Sequence, residues 1–336
     1  MLSSELDYEL PEVLIAQSPA EPRDASRLMV VDVQGGTISH HTFMDLPRFL
    51  EPGDALILNE TKVLPARLET TKPTGGEVEL LFLRDLGPDH EGEWEVLARP
   101  SKRLRPGLRL LAGKDQVEIV ESLGDGHWTV RAADVRGLLQ RSGRMPLPPY
   151  IRPTPETERR YQTVYARNEG SAAAPTAGFH FTERVLEGAE RAGASIARIT
   201  LHVGVGTFTP VRTERLEEHT MHAEYYNVPW EAARVVEGAR RVVAAGTTVA
   251  RTLETWAATG EVEGESDLFV YPGYRWRSVD TLLTNFHLPR STLLAMVMSF
   301  GGEDLVREAY TTAVKKRYRF YSFGDAMLLL DGGRRR

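Results

Sequence analysis

The chain has 336 residues, 41% of them hydrophobic, a formal net charge of −6 and no cysteine. A chain of this length exceeds what one hydrophobic core serves, so two domains are expected, and the nearly balanced charge excludes wholesale attraction to nucleic acid or an anionic membrane; a polyanion has to meet a local basic patch. The absence of cysteine removes disulfides, thiolate metal sites and cysteine nucleophiles together.

The opening Met1-Leu2-Ser3-Ser4-Glu5-Leu6-Asp7 is acidic and carries no apolar run, and no stretch reaches the length of a membrane span. A soluble, cytoplasmic protein without a signal peptide is the expectation. Residues 5–17 read as a short helix after Pro11, and residues 28–33 as a β-branched strand. A second short helix over 43–50 stops before Pro52-Gly53, and residues 55–59 are apolar enough for a strand buried on both faces. From residue 67 to 152 the texture changes. Short β-rich runs at 78–83, 94–98, 108–111, 117–120 and 127–131 alternate with turn signals such as Gly75-Gly76, Gly87-Pro88 and Gly124-Asp125-Gly126. Regular strand and turn spacing predicts a small all-β module. Strand and helix alternate on both sides of it, so it reads as an insertion. Residues 67–152 are expected to form a β-barrel domain, and 1–66 with 153–336 one discontinuous, barrel-like α/β domain, joined through the proline-rich stretch Arg144 to Ile151.

Two histidine-bearing loops follow. Ala174-Pro175-Thr176-Ala177-Gly178-Phe179-His180-Phe181-Thr182 leads into a predicted helix over 183–191 closed by Gly193, and a strand then reaches Thr200-Leu201-His202-Val203-Gly204-Val205-Gly206-Thr207-Phe208. Small residues in such loops let backbone N–H groups approach a ligand, and a loop feeding a helix N-terminus favours negative charge. For either loop alone, glycines serving turns and a histidine satisfied in the core remain an open reading. His219, His222 and Glu224 come next. Two histidines three apart with a carboxylate suggest a metal, but Glu224 would point elsewhere on a helix, so chelation from one segment is poor and a hydrogen-bonded acid/base cluster is the alternative. Residues 230–245 read as a helix between Pro229 and Gly246, and residues 247–254 as a strand delivering Arg251 and Glu254 to its end. Further strands are expected at 266–270 and 280–285; the run Thr284-Asn285-Phe286-His287-Leu288-Pro289 then turns into an apolar helix over 293–300. Basic residues cluster at Lys102, Arg103 and Arg105 and again at Lys315, Lys316, Arg317 and Arg319.

No GxxxxGK[ST] loop, strand-linked GxGxxG or GxSxG elbow occurs, so nucleotide hydrolysis, ordinary dinucleotide binding and α/β-hydrolase chemistry are not indicated. Polar strand ends carrying His180, His202, His222, His287, Arg251 and Glu224 suit acid/base chemistry on an organic ligand with an aromatic part. A metal-dependent hydrolase and a non-catalytic RNA-binding module stand beside that reading.

The runs APTAGFHFT, TLHVGVGTF, HTMHAE and TNFHLP are long and compositionally unusual, and with Leu58-Asn59-Glu60-Thr61-Lys62-Val63, Pro146-Leu147-Pro148-Pro149-Tyr150 and Gly324-Asp325-Ala326-Met327 they span nearly the whole chain. On these motifs the chain resembles the S-adenosylmethionine:tRNA ribosyltransferase-isomerases of queuosine biosynthesis. The resemblance implies transfer and isomerisation of the ribosyl part of S-adenosylmethionine onto 7-aminomethyl-7-deazaguanine at the tRNA wobble position, giving epoxyqueuosine-tRNA, adenine and methionine. It implies no cofactor and no metal, S-adenosylmethionine being the ribosyl-donor substrate, and tRNA as the partner; a monomer is the separate expectation. The expected catalytic set is His180, His202, Glu224, His222 and His287. Substrate contacts are expected from Gly178, Phe179, Phe181, Gly204, Gly206, Arg251 and Asn285, with Phe179 and Phe181 stacking on adenine and Arg251 on the methionine carboxylate. Phosphate contacts are expected from Lys102, Arg103, Arg105, Lys315, Lys316, Arg317 and Arg319.

Overall fold

The structure, a computed structural model, describes residues 1–87, 90–204 and 211–333. The chain opens with β1 (Arg27–Asp32), β2 (Thr37–Thr42), β3 (Asp54–Asn59) and the short β4 (Thr61–Val63). Six strands then close into an antiparallel barrel: β5 (Arg67–Thr71), β6 (Glu77–Asp85), β7 (Glu93–Arg99), β8 (Arg109–Ala112), β9 (Asp115–Gly124) and β10 (His127–Arg131), in the order β10-β7-β6-β5-β8-β9. Trp94, Val96, Leu110 and Ile119 fill its interior, as the alternation of their strands requires. Helix α1 (Val135–Ser142) leaves the barrel, and Arg144 then pairs its backbone with Arg67 in both directions, at 3.1 and 2.8 Å. Entry and exit of the barrel segment therefore lie side by side.

The remaining elements are α2 (Pro155–Arg160), β11 (Asn168–Ser171), α3 (Glu183–Arg191), β12 (Ser195–Leu201), β13 (Glu224–Asn227), α4 (Trp230–Gly238), β14 (Arg241–Ala245), α5 (Thr247–Thr259), β15 (Glu263–Ser266), β16 (Thr281–Asn285), α6 (Thr292–Gly301), α7 (Glu303–Lys315) and β17 (Ala326–Leu330). Among the described residues, nine strands form one sheet in the order β15-β13-β12-β3-β14-β16-β17-β1-β2. Its centre, β12, β3, β14 and β16, is parallel. Ala55 and Ile57 of β3 face one apolar layer with helices α4 to α7, and Leu56 and Leu58 face the other with α3 and the 3-10 turn Phe43–Phe49. Both faces are covered, so the middle of the sheet is apolar in nearly continuous runs. This is the expected α/β class with an all-β barrel, but the large sheet is open, with β15 and β2 at its edges, and not barrel-like.

Several local expectations fail for identifiable reasons. The helix expected over 230–245 stops at Gly238, and β14 begins at Arg241. Val242, Val243, Ala244 and Ala245 are buried on both faces, so the spacing of their valines carries no information about period. The strand expected over 247–254 is the helix α5. Its threonines have strand propensity, but Gly246, at φ 113°, turns the chain sharply and the helix packs on the sheet, so tertiary burial overrides propensity. Residues 5–17 hold only the 3-10 turns Ser3–Leu6 and Glu12–Leu14, and Pro47 keeps 43–49 from becoming an α-helix. Of the strand expected at 266–270, only Ser266 belongs to one, as the last residue of β15. No helix among the described residues is long and apolar enough to cross a membrane.

Candidate active site

Strands β3, β14 and β16 run parallel and end together at Asn59, Ala245 and Asn285. Over these carboxyl ends lie two adjoining cavities, at the place where open α/β sheets bind ligands. The first is lined by Ala174 to Ala177 of the first loop, Val203 of the second, Gly246, Thr284, Asn285 and His287. The second is lined by Met221, Arg251, Phe269, Thr292 and Met296. They share Thr247, Thr248 and Leu293, so the first turns of α5 and α6 stand between them.

The charged centre is Glu224, the first residue of β13, which forms an ion pair with Arg251 of α5; both side chains are almost wholly buried. Glu224 Oε1 also accepts the Gly204 N–H at 2.6 Å. Gly204 thus serves the carboxylate directly, and a Cβ there would stand 3.4 Å from Oε1. Desolvation lowers Arg251 to about 10, with Asp267 opposing the shift, so the guanidinium stays charged at neutral pH. Arg251 reaches this place from a helix, not from the strand end expected. Glu254 on the same helix serves the fold: its carboxylate accepts the backbone N–H groups of Arg277, Ser278 and Val279 at 2.8, 2.9 and 3.0 Å.

His202 is partly covered. Its Nδ1 meets Thr61 Oγ1 at 2.8 Å, its ring stacks on Tyr225 at 5.5 Å, and Gly170 lies against its far edge, where a Cβ would be 2.7 Å from Nε2. Burial, with Arg136 nearby, lowers it to about 4. His287 lines the first cavity, with Nε2 bonded to Thr284 Oγ1 at 2.7 Å.

His180 stands behind the cavity wall. Asn285 Nδ2 donates to the Tyr321 carbonyl at 3.1 Å, which identifies it as the amide nitrogen, so His180 Nε2 at 3.2 Å must accept and Nδ1 donates to Ser26 Oγ at 2.7 Å. Both ring nitrogens are engaged, and His180 holds Asn285, which lines the first cavity. His180, expected in the catalytic set, lines neither cavity and has both ring nitrogens bonded within the protein. Phe179 and Phe181, expected to stack on adenine, likewise line neither cavity. Phe179 packs against Tyr161 and Phe323, and Phe181 against Phe43 and Tyr165, both inside apolar clusters and outside either cavity. Gly178 approaches the Tyr165 hydroxyl, where a Cβ would lie at 2.3 Å; the glycine accommodates protein, not ligand. His222 is exposed ahead of β13, on no helix, and Glu224 turns to Arg251 instead. Gly206 lies outside the described residues. The threonines at 247, 248, 284 and 292 and Met221 and Met296 were not expected at the site; the strand-glycine-helix junction at Gly246 was the available signal.

The two enclosed histidines make stability acid-sensitive. Desolvation pulls His180 and His287 from 6.5 to about 3, aided at His180 by Arg319 and Arg23. Below pH ~6.5 the unfolded chain takes up protons that the folded chain refuses, so their contribution is full above that pH and falls as pH drops towards 3, by about 1.4 kcal/mol per pH unit for each ring. Denaturant midpoints measured from pH 7 to pH 4.5 are expected to fall steadily, and less steeply in His287→Gln.

Arg251 and His287 line the crevice over the parallel strand ends, while Glu224, His180 and His202 line neither cavity; its place and its partly apolar walls are those of ligand sites in open α/β proteins. The family model described as queuosine biosynthesis protein matches residues 3–329. A protein of Rubrobacter xylanophilus named S-adenosylmethionine:tRNA ribosyltransferase-isomerase is 71% identical over 335 residues, covering 99% of each chain. One of the same name from Moorella thermoacetica is 51% identical, covering 98% of this chain and all of its own. The crystal structure of S-adenosylmethionine tRNA ribosyltransferase from Thermotoga maritima matches with a TM-score of 0.56 at 39% identity, over 97% of this chain and 100% of that one. The chain belongs to the queuosine biosynthesis protein family, whose relatives here are enzymes by name.

Proposed function

We propose that the protein is an S-adenosylmethionine:tRNA ribosyltransferase-isomerase, moving the ribosyl part of S-adenosylmethionine onto 7-aminomethyl-7-deazaguanine at the wobble position and releasing adenine and methionine. The observation that carries this reading is the 71% end-to-end identity to a protein of that name. The cavities support it by offering apolar walls, hydroxyls and a cation in one crevice. The reaction needs a base for the proton beside the sulfonium, assistance to departing adenine, and exclusion of water. His202 is assigned the base: Thr61 and Tyr225 hold its ring, its depressed pKa keeps it neutral at pH 7, and Glu224 is already turned to Arg251 and Gly204. His287 and Asn285, in the wall of the first cavity, are assigned to adenine, and Arg251 to the methionine carboxylate. The decisive test is incubation with S-adenosylmethionine and tRNA carrying 7-aminomethyl-7-deazaguanine. Free adenine in step with epoxyqueuosine is expected, and its absence defeats the reading.

The RNA is assigned to residues 67–152, taken as one inserted unit with Lys102, Arg103 and Arg105 exposed at a barrel turn, and to Lys315, Lys316 and Arg317, exposed at the end of α7. Arg319 is half-buried and donates to the Ser18 carbonyl, so its part is to hold that end in place. Neutralising either triplet is expected to weaken tRNA binding and to reduce the salt slope by about 1 for each phosphate left without its cation. An unchanged slope in binding isotherms would mark them as solvated faces.

A further inference from the structure

The second cavity has two unlike kinds of wall. Met221, Leu268, Phe269 and Met296 are apolar, whereas Arg251, Thr247 and Thr292 bring a cation and hydroxyls. The first turns of α5 and α6 both open onto it through Thr247, Thr248, Thr292 and Leu293, so the positive ends of two helix dipoles converge there. Among the described residues no side chain caps the start of α5, while Ser291 caps α6 by accepting the Leu294 N–H at 3.1 Å. Thr292 is only 5% exposed, and among the described residues its Oγ1 has no hydrogen-bond partner. A buried hydroxyl without a protein partner beside a cavity is unfavourable until a ligand supplies one.

Donors of this kind suit a carboxylate, and the neighbouring charges add a condition. Arg251 already faces Glu224, so this corner is close to neutral before any ligand arrives. A simple anion would bring one negative charge in excess into a desolvated place, whereas a zwitterion carries its own ammonium and leaves the balance unchanged. Two methionines in the apolar wall suit a thioether-like or sulfonium segment next to that head. We propose that the second cavity is the subsite for the amino-acid end of S-adenosylmethionine, that Thr292 and the first turn of α6 join Arg251 and α5 in clamping its α-carboxylate, and that the clamp selects a zwitterionic head. The identity of the substrate rests on the activity proposed above.

The test uses the full-length protein, wild type and the variants Thr292→Val and Thr292→Ser. S-adenosylmethionine and its decarboxylated analogue are titrated calorimetrically, and adenine release is followed from each with the tRNA substrate. Valine copies the shape of threonine and removes only the hydroxyl, and an unreduced melting temperature shows that the fold is intact. Wild type is expected to favour S-adenosylmethionine over the decarboxylated analogue by about a hundredfold; Thr292→Val is expected to lose about tenfold of that preference, through KM more than kcat, and Thr292→Ser to restore it. L-methionine should likewise bind more tightly than 4-(methylthio)butanoate, which lacks the ammonium. Equal binding of either pair by wild type, or an unaltered preference in Thr292→Val, overturns the clamp even where wild type releases adenine. Failure of wild type to release adenine with discrimination intact strikes the activity and leaves the clamp standing.

Discussion

Arg251→Met is expected to destabilise the protein by about 3–5 kcal/mol, the range found when one partner of a buried ion pair is removed. The reason lies in where Glu224 sits. Its side chain is 4% exposed and that of Arg251 6%, so solvent cannot take over the charge that the guanidinium leaves behind. Methionine roughly fills the arginine stem but offers no donor. The double variant Arg251→Met, Glu224→Gln should recover most of the loss, because it removes the buried charge together with its partner. Urea unfolding of the two single variants and the double one measures this coupling, and additive losses would show that the pair contributes nothing as a pair. Activity should not recover with stability, since the cation lining the second cavity is still missing.

The second large effect falls on His202 through a substitution at its neighbour Gly170. Gly170→Ala would place a Cβ 2.7 Å from Nε2 and 2.9 Å from the Cδ2 and Cε1 atoms, at a φ of 147° that side-chain-bearing residues rarely adopt. The ring cannot retreat without leaving Thr61 Oγ1 or the face of Tyr225. A displacement of about 1 Å in a reacting group lowers rates by about a hundredfold, and this is the fall in kcat expected for adenine release. Destabilisation of about 1–3 kcal/mol from overpacking should accompany it. Gly238→Ala is the contrasting variant, because among the described residues no atom outside its chain neighbours and its own helix backbone lies within 4 Å of the added methyl, and the residue ends α4. It is expected to leave activity intact and to change stability by less than about 1 kcal/mol. Equal kinetics for the two variants would remove the geometric argument for His202.

Much of the fold is legible in the sequence because it depends on patterns within a few residues. The uninterrupted apolar run of β3, the amphipathic α3 with its Gly193 stop, and the evenly spaced turns of the barrel each follow from local chemistry. Residues 230–259 defeat a local reading because there the pattern is saturated. A central parallel strand and a helix packed on the sheet are apolar or small at nearly every position, so neither period shows, and the boundary between α4, β14 and α5 depends on which neighbour each residue meets. The same limit applies to the site. His180, His202 and His287 are alike in sequence, each beside apolar residues in a loop that follows or precedes a strand. Only their partners separate a ring whose nitrogens are both engaged from one that lines a cavity and one held by a single hydroxyl.

The family motifs, the α/β alternation, the β-rich segment and the pool of polar residues from which a site can be built depend on composition and short-range spacing, and can be read along the chain. Which members of that pool meet depends on the long-range packing of the fold. It joined Glu224 to Arg251 across 27 residues of chain, placed Phe179 and Phe181 in the core, and brought the starts of α5 and α6 together over the ends of β14 and β16. Those outcomes follow from sheet order and from the crossover of helices over parallel strands, which set long-range neighbours that no local pattern encodes.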